Sequence, residues 1–161
     1  MNRIKDYKSL AVDLVGWLCK YAHDNNVDAF VVGVSGGIDS AVSSTLAVKT
    51  GKPTYLVGMP LNQAKDQETL SDAHMYWLKS NYPNVKVLKA NLSETYAKLM
   101  SDLTGEFGLE YTGNPMAKAN TKSRLRMVTL YHVAANVGGI VVGTGNKVED
   151  YGVGFYTKYG D

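Results

Sequence analysis

Apolar and polar positions along this chain alternate between two periods. From Leu10 to Ala22 the apolar residues recur at the spacing of one helix face, which predicts a first helix that ends near HDNN at 23–26. The next apolar run, AFVVGV at 29–34, is continuous and rich in β-branched residues, as in a strand buried on both faces. The alternation continues, with further helices predicted at 39–50, 66–80, 93–103 and 115–136 and further strands at 53–59, 85–90 and 138–144.

Strands that alternate with helices predict right-handed crossovers and a parallel sheet covered on both faces, the doubly wound α/β class. A chain of 161 residues suits one such domain, and we expect residues 1–161 to form it. Asn91 or Ser93 is expected to cap the helix at 93–103. The stretch TGEFGLEYTGNP at 104–115 shows no periodicity and is predicted to be a mobile loop.

Composition and charge narrow the class of protein. Hydrophobic residues make up 45% and charged residues 20% of the chain, as in ordinary globular proteins. The net charge is only +2 and the basic residues are scattered, so we expect no nucleic-acid partner. The single cysteine, Cys19, suits a reducing compartment, and no apolar run is long enough to span a membrane. These features predict a cytoplasmic protein without a membrane partner.

The most informative stretch is GVSGGIDS at 33–40, where a predicted strand runs through a glycine turn into a helix. Aligned on its last serine it would be a phosphate-binding Walker loop, except that Asp39 stands where that motif requires lysine. A carboxylate repels phosphate, so Asp39 makes sense if it holds a divalent cation, Mg²⁺ above all, that bridges to phosphate oxygens. Further donors to phosphate would be the backbone of Gly36 and Gly37 and the hydroxyls of Ser35 and Ser40.

Two other interpretations of this loop stay open. GVSGG at 33–37 also matches the G-x-S-x-G nucleophile elbow of hydrolases, with Ser35 as nucleophile. That chemistry needs a histidine on a loop, whereas His74 and His132 fall inside predicted helices. The loop could also be a plain glycine turn between a strand and a helix, with no ligand at all.

The loop SGGIDS resembles the S-G-G-x-D-S signature of the PP-loop ATP pyrophosphatases. Three later blocks, NTKSRLRM at 120–127, VVGTGNKVED at 141–150 and GFYTKYGD at 154–161, resemble the NAD synthetase family in the same order. The resemblance implies a homodimer of Rossmann-like subunits, similar to the adenine nucleotide alpha hydrolases. It also implies an ammonia-dependent ligase that converts deamido-NAD, ATP and ammonia to NAD, AMP and pyrophosphate through an acyl-adenylate.

The resemblance also implies roles for individual residues, none of them a protein nucleophile. Asp39 and Glu149 would be the Mg²⁺ ligands, and Arg124 and Lys158 would contact deamido-NAD. The ATP-binding set would be Gly33, Val34, Ser35, Gly36, Gly37, Ile38, Asp39, Ser40 and Thr144. Outside this motif context, Glu149, Arg124 and Lys158 would be interpreted as surface charges.

The sequence departs from the family pattern at its end, TKYGD, where family members continue for several more elements. We therefore expect the chain to be truncated relative to the family. Two alternatives follow for its function. It could be a nucleotide-binding or dimerising module without turnover, or another adenylating amidotransferase of the PP-loop superfamily.

Overall fold

A single parallel sheet organises the chain. The computed structural model describes residues 6–62, 65–154 and 156–157, except for the side chains of residues 65, 66 and 111. Within these residues the sheet has four strands in the order β3-β2-β1-β4, all of them parallel. The strands are β1 Ala29–Gly33, β2 Thr54–Gly58, β3 Val85–Lys89 and β4 Gly139–Val141.

The strand order places the loops after β1 and β4 side by side. In the register of the sheet, Val31 of β1 lies opposite both Tyr55 of β2 and Val141 of β4. The chain therefore adds β2 and β3 on one side of β1 and later adds β4 on the other side. The gap between β1 and β4 is thus a topological switch point. In open α/β sheets the crevice at such a point, beyond the carboxyl ends of the strands, is where ligands bind.

Helices connect the strands much as the sequence pattern predicts. Along the described residues they are α1 Tyr7–Asp24, α2 Ile38–Lys49, α3 Lys65–Asn81, α4 Ser93–Phe107, α5 Leu109–Thr112 and α6 Pro115–Asn136, followed by a π-helical turn at Val148–Val153. The described residues include no helix with the length and hydropathy of a membrane span. The strand predicted at 138–144 is shorter than expected, because only Gly139–Val141 pairs with β1.

Side chains on the two faces of β1 enter two separate cores, which confirms the doubly wound α/β prediction. Phe30 and Val32 pack in a cluster with residues of α1, α2 and α3. Val31, between them in sequence, packs in a second cluster with Ala134 of α6. All three strand residues are at most 1% exposed. A strand covered on both faces has no polar side to alternate with, which explains its continuous apolar run.

The prediction of a loop at 104–115 is wrong for most of that range. Helix α4 continues to Phe107 and α5 occupies Leu109–Thr112. Gly105 lies inside α4, since one glycine inside a helix costs only about 1 kcal/mol. Gly108, directly after α4, has a left-handed φ of 87°. The Thr104 hydroxyl donates to the buried Thr112 across this turn at 3.0 Å.

The start of α4 agrees in part with the predicted capping. The Asn91 side chain accepts a hydrogen bond from the backbone N–H of Ser93 at 3.0 Å. The residue in the cap position itself is Leu92, which has no side-chain cap hydrogen bond. The Ser93 hydroxyl instead accepts from the N–H of Asn62 at 3.3 Å, and so ties the start of α4 to the loop after β2.

Candidate functional site

The glycine loop after β1 is held in shape by its own two hydroxyl groups. Ser40, which is 2% exposed, donates from Oγ to the carbonyl oxygen of Gly37 at 3.0 Å. The same Oγ accepts from the N–H of Ser35 at 3.2 Å and lies 3.1 Å from the Ser35 hydroxyl. The N–H of Gly37 donates to the Ser35 hydroxyl at 3.2 Å. The loop is therefore a closed turn that presents its backbone at the start of α2.

Helix α3 supports this loop from behind. The buried hydroxyl of Ser71 donates to the carbonyl oxygen of Val34 at 2.8 Å. Gly36 has a left-handed φ of 91°, and a Cβ at this position would lie 2.4 Å from the carbonyl oxygen of Gln67. Because both the backbone angle and the space exclude a side chain, only glycine fits there.

In front of the loop lies a cavity of about 680 Å³. Its walls are the glycine loop, one face of α6 and the loop after β4. Most of the residues that the resemblance assigns to ATP and Mg²⁺ line this cavity. They are Gly33, Val34, Ser35, Gly37, Asp39, Ser40, Thr144 and Glu149. Gly36 and Ile38 instead line a smaller, more open groove on the α3 side of the loop, together with Leu70 and His74.

The side chain of Asn146 makes three hydrogen bonds in the loop after β4. Asn146 accepts from the backbone N–H groups of Val148 and Glu149, both at 3.0 Å. Its amide nitrogen donates to Oδ2 of Asp39 at 3.3 Å. Asn146 thus caps the helical turn that carries Glu149 and also contacts the carboxylate that the sequence predicts as a metal ligand.

Among the described residues, three carboxylates line the cavity: Asp39, Glu149 and Asp150. Asp150 was not predicted from the sequence, although it directly follows Glu149. No group of three or more histidine, cysteine or acidic side chains in the described part of the chain has the geometry of a complete metal site. Mg²⁺ in nucleotide sites is typically held by one or two carboxylates plus phosphates and water, so Asp39 and Glu149 in one cavity fit a nucleotide-bound Mg²⁺ and do not form an all-protein cage.

On helix α6 the cavity is faced by an arginine other than the predicted one. Arg124 is exposed and does not line the cavity, whereas Arg126 is half-buried and does. The Nε of Arg126 donates to the carbonyl oxygen of Met59 at 3.4 Å, and burial lowers the pKa of its guanidinium. The signal was present in the sequence, because Ser123, Arg126, Met127 and Leu130 have the i, i+3, i+4, i+7 spacing of one helix face, and all four line the cavity.

Arg124 therefore remains a prediction from the resemblance, with no cavity contact in this chain by itself. Residues two positions apart on a helix point in nearly opposite directions, because each residue turns the helix by about 100°. Arg124 and Arg126 accordingly lie on different faces of α6. Lys158, the other predicted contact to deamido-NAD, lies outside the described residues.

The nucleophile-elbow interpretation of Ser35 lacks a base. The chain has three histidines. His74 is hydrogen-bonded to Ser44 at 2.9 Å, and His132 lies within 3.4 Å of Asn136. His23 lies at the end of α1, 3.3 Å from Asp24. None of them contacts Ser35, whose hydroxyl is engaged within the loop.

Comparisons with known proteins match almost the whole chain. The model of the NAD synthase family matches residues 10–161. The NH(3)-dependent NAD(+) synthetase of Carboxydothermus hydrogenoformans is 39% identical over 148 residues, which cover 92% of this chain and 58% of that protein. Its counterpart from Finegoldia magna is 36% identical over 158 residues, which cover 97% of this chain and 60% of that protein.

Among solved structures, NMN synthetase from Francisella tularensis superposes with a TM-score of 0.83 at 32% identity. The match covers 98% of this chain and 61% of that one. The chain thus spans 58% and 60% of the length of the two curated relatives. The similarity includes both loops of the cavity, because the family match runs from Leu10 to Asp161.

Proposed function

The chain belongs to the NAD synthase family, and on that premise we propose that it carries the nucleotide site of an ammonia-dependent NAD synthetase. The proposed reaction converts deamido-NAD, ATP and ammonia to NAD, AMP and pyrophosphate. The observation that carries the proposal is the meeting of Asp39, from the loop after β1, with Glu149, from the loop after β4, in one cavity. Asp39 in place of the Walker lysine is compatible with phosphate only through a cation, which two carboxylates are suited to hold.

The reaction needs an activated carboxylate, because oxide is a poor leaving group for ammonia to displace. The nicotinate carboxylate would attack the α-phosphorus of ATP, form an acyl-adenylate and release pyrophosphate. Ammonia would then attack the acyl carbon and release AMP. No step requires a protein nucleophile, so the chain contributes positioning and electrostatic stabilisation.

Each part of the cavity has a role in that scheme. The backbone N–H groups of Ile38, Asp39 and Ser40 at the start of α2 would bind the departing pyrophosphate, since a helix N-terminus favours negative charge. Asp39 and Glu149 would hold Mg²⁺, which when bound neutralises charge on the phosphates. Thr144 lines the same cavity as Asp39 and would contact the nucleotide.

Further parts of the proposal concern the whole protein. Arg124 and Lys158 would contact deamido-NAD, and the protein would act as a homodimer in the cytoplasm. Residues 1–161 would belong to one catalytic domain. Tyr151 and Val153, which are 87% and 74% exposed, support an assembly in which this end of the chain is covered by other protein surface.

A second candidate substrate is the mononucleotide. The solved structure with a TM-score of 0.83 is called NMN synthetase, and making that product by amidation would need nicotinate mononucleotide as the acid. The adenylation chemistry and the glycine loop would be the same. The curated relatives at 39% and 36% identity are both called NAD(+) synthetases, which is why we favour deamido-NAD.

The test is product formation by the 161-residue chain with ATP, Mg²⁺ and ammonium, supplied with either deamido-NAD or nicotinate mononucleotide. NAD with stoichiometric AMP from deamido-NAD would support the main proposal. NMN from the mononucleotide alone would support the second. Mg²⁺-dependent ATP binding without any product would favour a nucleotide-binding module that lacks turnover. Asp39→Ala, assayed in parallel, separates activity of this site from a contaminating enzyme.

A further inference from the structure

We propose that Asn146 is a positioning residue that sets the Asp39 carboxylate against Glu149, so that the two can hold one nucleotide-bound cation. The inference deepens the proposed function and rests on it for the identity of the ligand. Asn146 is half-buried between the two loops, and its hydrogen bond to Asp39 joins residues 107 positions apart in the chain.

The orientation of the Asn146 amide is determined by its partners. Its Oδ1 accepts from two backbone N–H groups, those of Val148 and Glu149. Only an oxygen can accept these bonds, so the nitrogen must occupy the other end of the amide. That end faces Oδ2 of Asp39 at 3.3 Å, where a donor is favourable and a second oxygen would be repelled.

One side chain therefore orders both carboxylates. On one side Asn146 fixes the backbone of Glu149 through its N–H group. On the other side it restrains one oxygen of Asp39, and among the described residues no other hydrogen bond to that carboxylate is formed. The second carboxylate oxygen is thereby left for a cation. Groups that hydrogen-bond to metal ligands in this way orient them, and their loss typically weakens metal binding about 10- to 100-fold.

The competing explanation is that Asn146 is only a helix cap. The chain offers a matched case in Asn114, which caps α6 by accepting from Met116 at 2.9 Å and Ala117 at 3.2 Å. Asn114 and Asn146 have the same i+2 and i+3 pattern, but only Asn146 also donates to a carboxylate within the described structure. Replacement by serine keeps a good capping oxygen at either position but is too short to reach Asp39.

The experiment compares Asn146→Ser with Asn114→Ser in the 161-residue chain. Mn²⁺, a spectroscopic substitute for Mg²⁺, is titrated by electron paramagnetic resonance in the presence of α,β-methylene ATP, which cannot be cleaved between its α and β phosphates. The metal-free thermal midpoint of each variant is measured beside it. We expect Asn146→Ser to weaken Mn²⁺ binding about 10- to 100-fold with little change in the midpoint. Asn114→Ser should leave Mn²⁺ binding unchanged.

Equal Mn²⁺ affinity in Asn146→Ser and the unmodified chain would overturn the proposal. A loss of Mn²⁺ affinity that only parallels a lowered thermal midpoint would also overturn it. If Asn146→Ser folds poorly, the same titration is made on Asn146→Thr, which also keeps a capping hydroxyl. Failure of the proposed function looks different, because Mn²⁺ binding would then depend on Asn146 while neither NAD nor NMN is produced. A chain that binds no Mn²⁺ with the nucleotide would overturn both.

Discussion

Ser71 of α3 donates a hydrogen bond of 2.8 Å to the carbonyl oxygen of Val34, at the point where β1 passes into the glycine loop. One helical turn earlier, the carbonyl oxygen of Gln67 lies where a side chain at Gly36 would have to be. Residues four apart share one face of a helix, so this face of α3 acts as a template for the loop. The shape of the loop is thus set partly by a helix that follows it by about 30 residues.

We predict that Ser71→Ala lowers the free energy of unfolding by about 1 to 3 kcal/mol, because the Val34 carbonyl would be left buried without its partner. The matched control is Ser80→Ala, on the same helix, whose hydroxyl donates to its own helix at Tyr76 on an exposed surface. That control should change stability by less than about 0.5 kcal/mol. Urea denaturation of the two variants measures the difference, and equal effects would contradict a support role for α3.

Gly36→Ala should abolish nucleotide binding at the loop. The control is Gly51→Ala, because Gly51 also has a left-handed φ, 76°, but nothing lies within 4 Å of an added Cβ. The left-handed conformation costs a non-glycine residue about 1 to 2 kcal/mol, and Gly51→Ala should show that penalty alone. Gly36→Ala adds the clash with Gln67, which forces the loop away from α3. Calorimetry with Mg²⁺-ATP and thermal unfolding separate the two effects.

The sequence predicted the sheet well because burial on both faces leaves a strong signal. Val31 and Val32 enter opposite cores, and such a strand can only be a continuous apolar run. The end of α4 was missed because the residues that support it are polar and leave no apolar periodicity. Thr104 bonds to Thr112 across the Gly108 turn, and no periodicity within 104–115 reports that contact.

For the site, the resemblance names Asp39 and Glu149 as metal ligands, and the meeting of strand ends at one edge of a parallel sheet explains why both line one cavity. Their role as ligands stays a prediction. The sequence could not identify Asn146 as the link between them, since that depends on the distance between side chains 107 positions apart. The choice between Arg124 and Arg126 depends on the phase of α6 against the sheet. That phase is set by the packing of Leu125 and Leu130 into the second core.

Replacing Asp39 by alanine should weaken ATP binding in the presence of Mg²⁺ but not in its absence. With Mg²⁺, Asp39→Ala is expected to weaken binding at least about tenfold, as for loss of a group that orients or holds a metal. With the metal chelated, the same variant should bind ATP as well as or better than the unmodified chain, because a carboxylate facing the phosphates is removed. Asp13→Ala, on the exposed surface of α1, is the control. Equal affinities with Mg²⁺ would remove the proposed metal site.

Stability should fall as the pH is lowered from 7.5 to 5.5, in part through His74. Its Nε2 lies 2.9 Å from the Ser44 hydroxyl, which itself donates to Ala41, and burial lowers the pKa of His74 below its usual 6.5. The unfolded chain therefore takes up a proton at a higher pH than the folded one, which favours unfolding as the pH falls through 6.5. His74→Gln should flatten this dependence in urea titrations, whereas His132→Gln, on the exposed side of α6, should retain it.

Alanine variants of Arg124 and Arg126 on α6 should weaken the binding of different substrates. Arg126 lines the cavity and is held by Met59 at 3.4 Å, so Arg126→Ala is expected to weaken Mg²⁺-ATP binding by about 1.5 to 3 kcal/mol, the usual contribution of a charged hydrogen bond. Arg124, exposed on another face, should leave ATP affinity unchanged when replaced by alanine and should weaken deamido-NAD binding if its predicted role is correct. Arg126→Lys should not restore ATP binding, because lysine lacks the planar fork. Calorimetry of each variant with each ligand measures these affinities.

An equal loss of affinity for ATP and deamido-NAD in Arg124→Ala would point to a role of Arg124 in folding or assembly. Unchanged ATP affinity in Arg126→Ala would exclude that guanidinium from the nucleotide site.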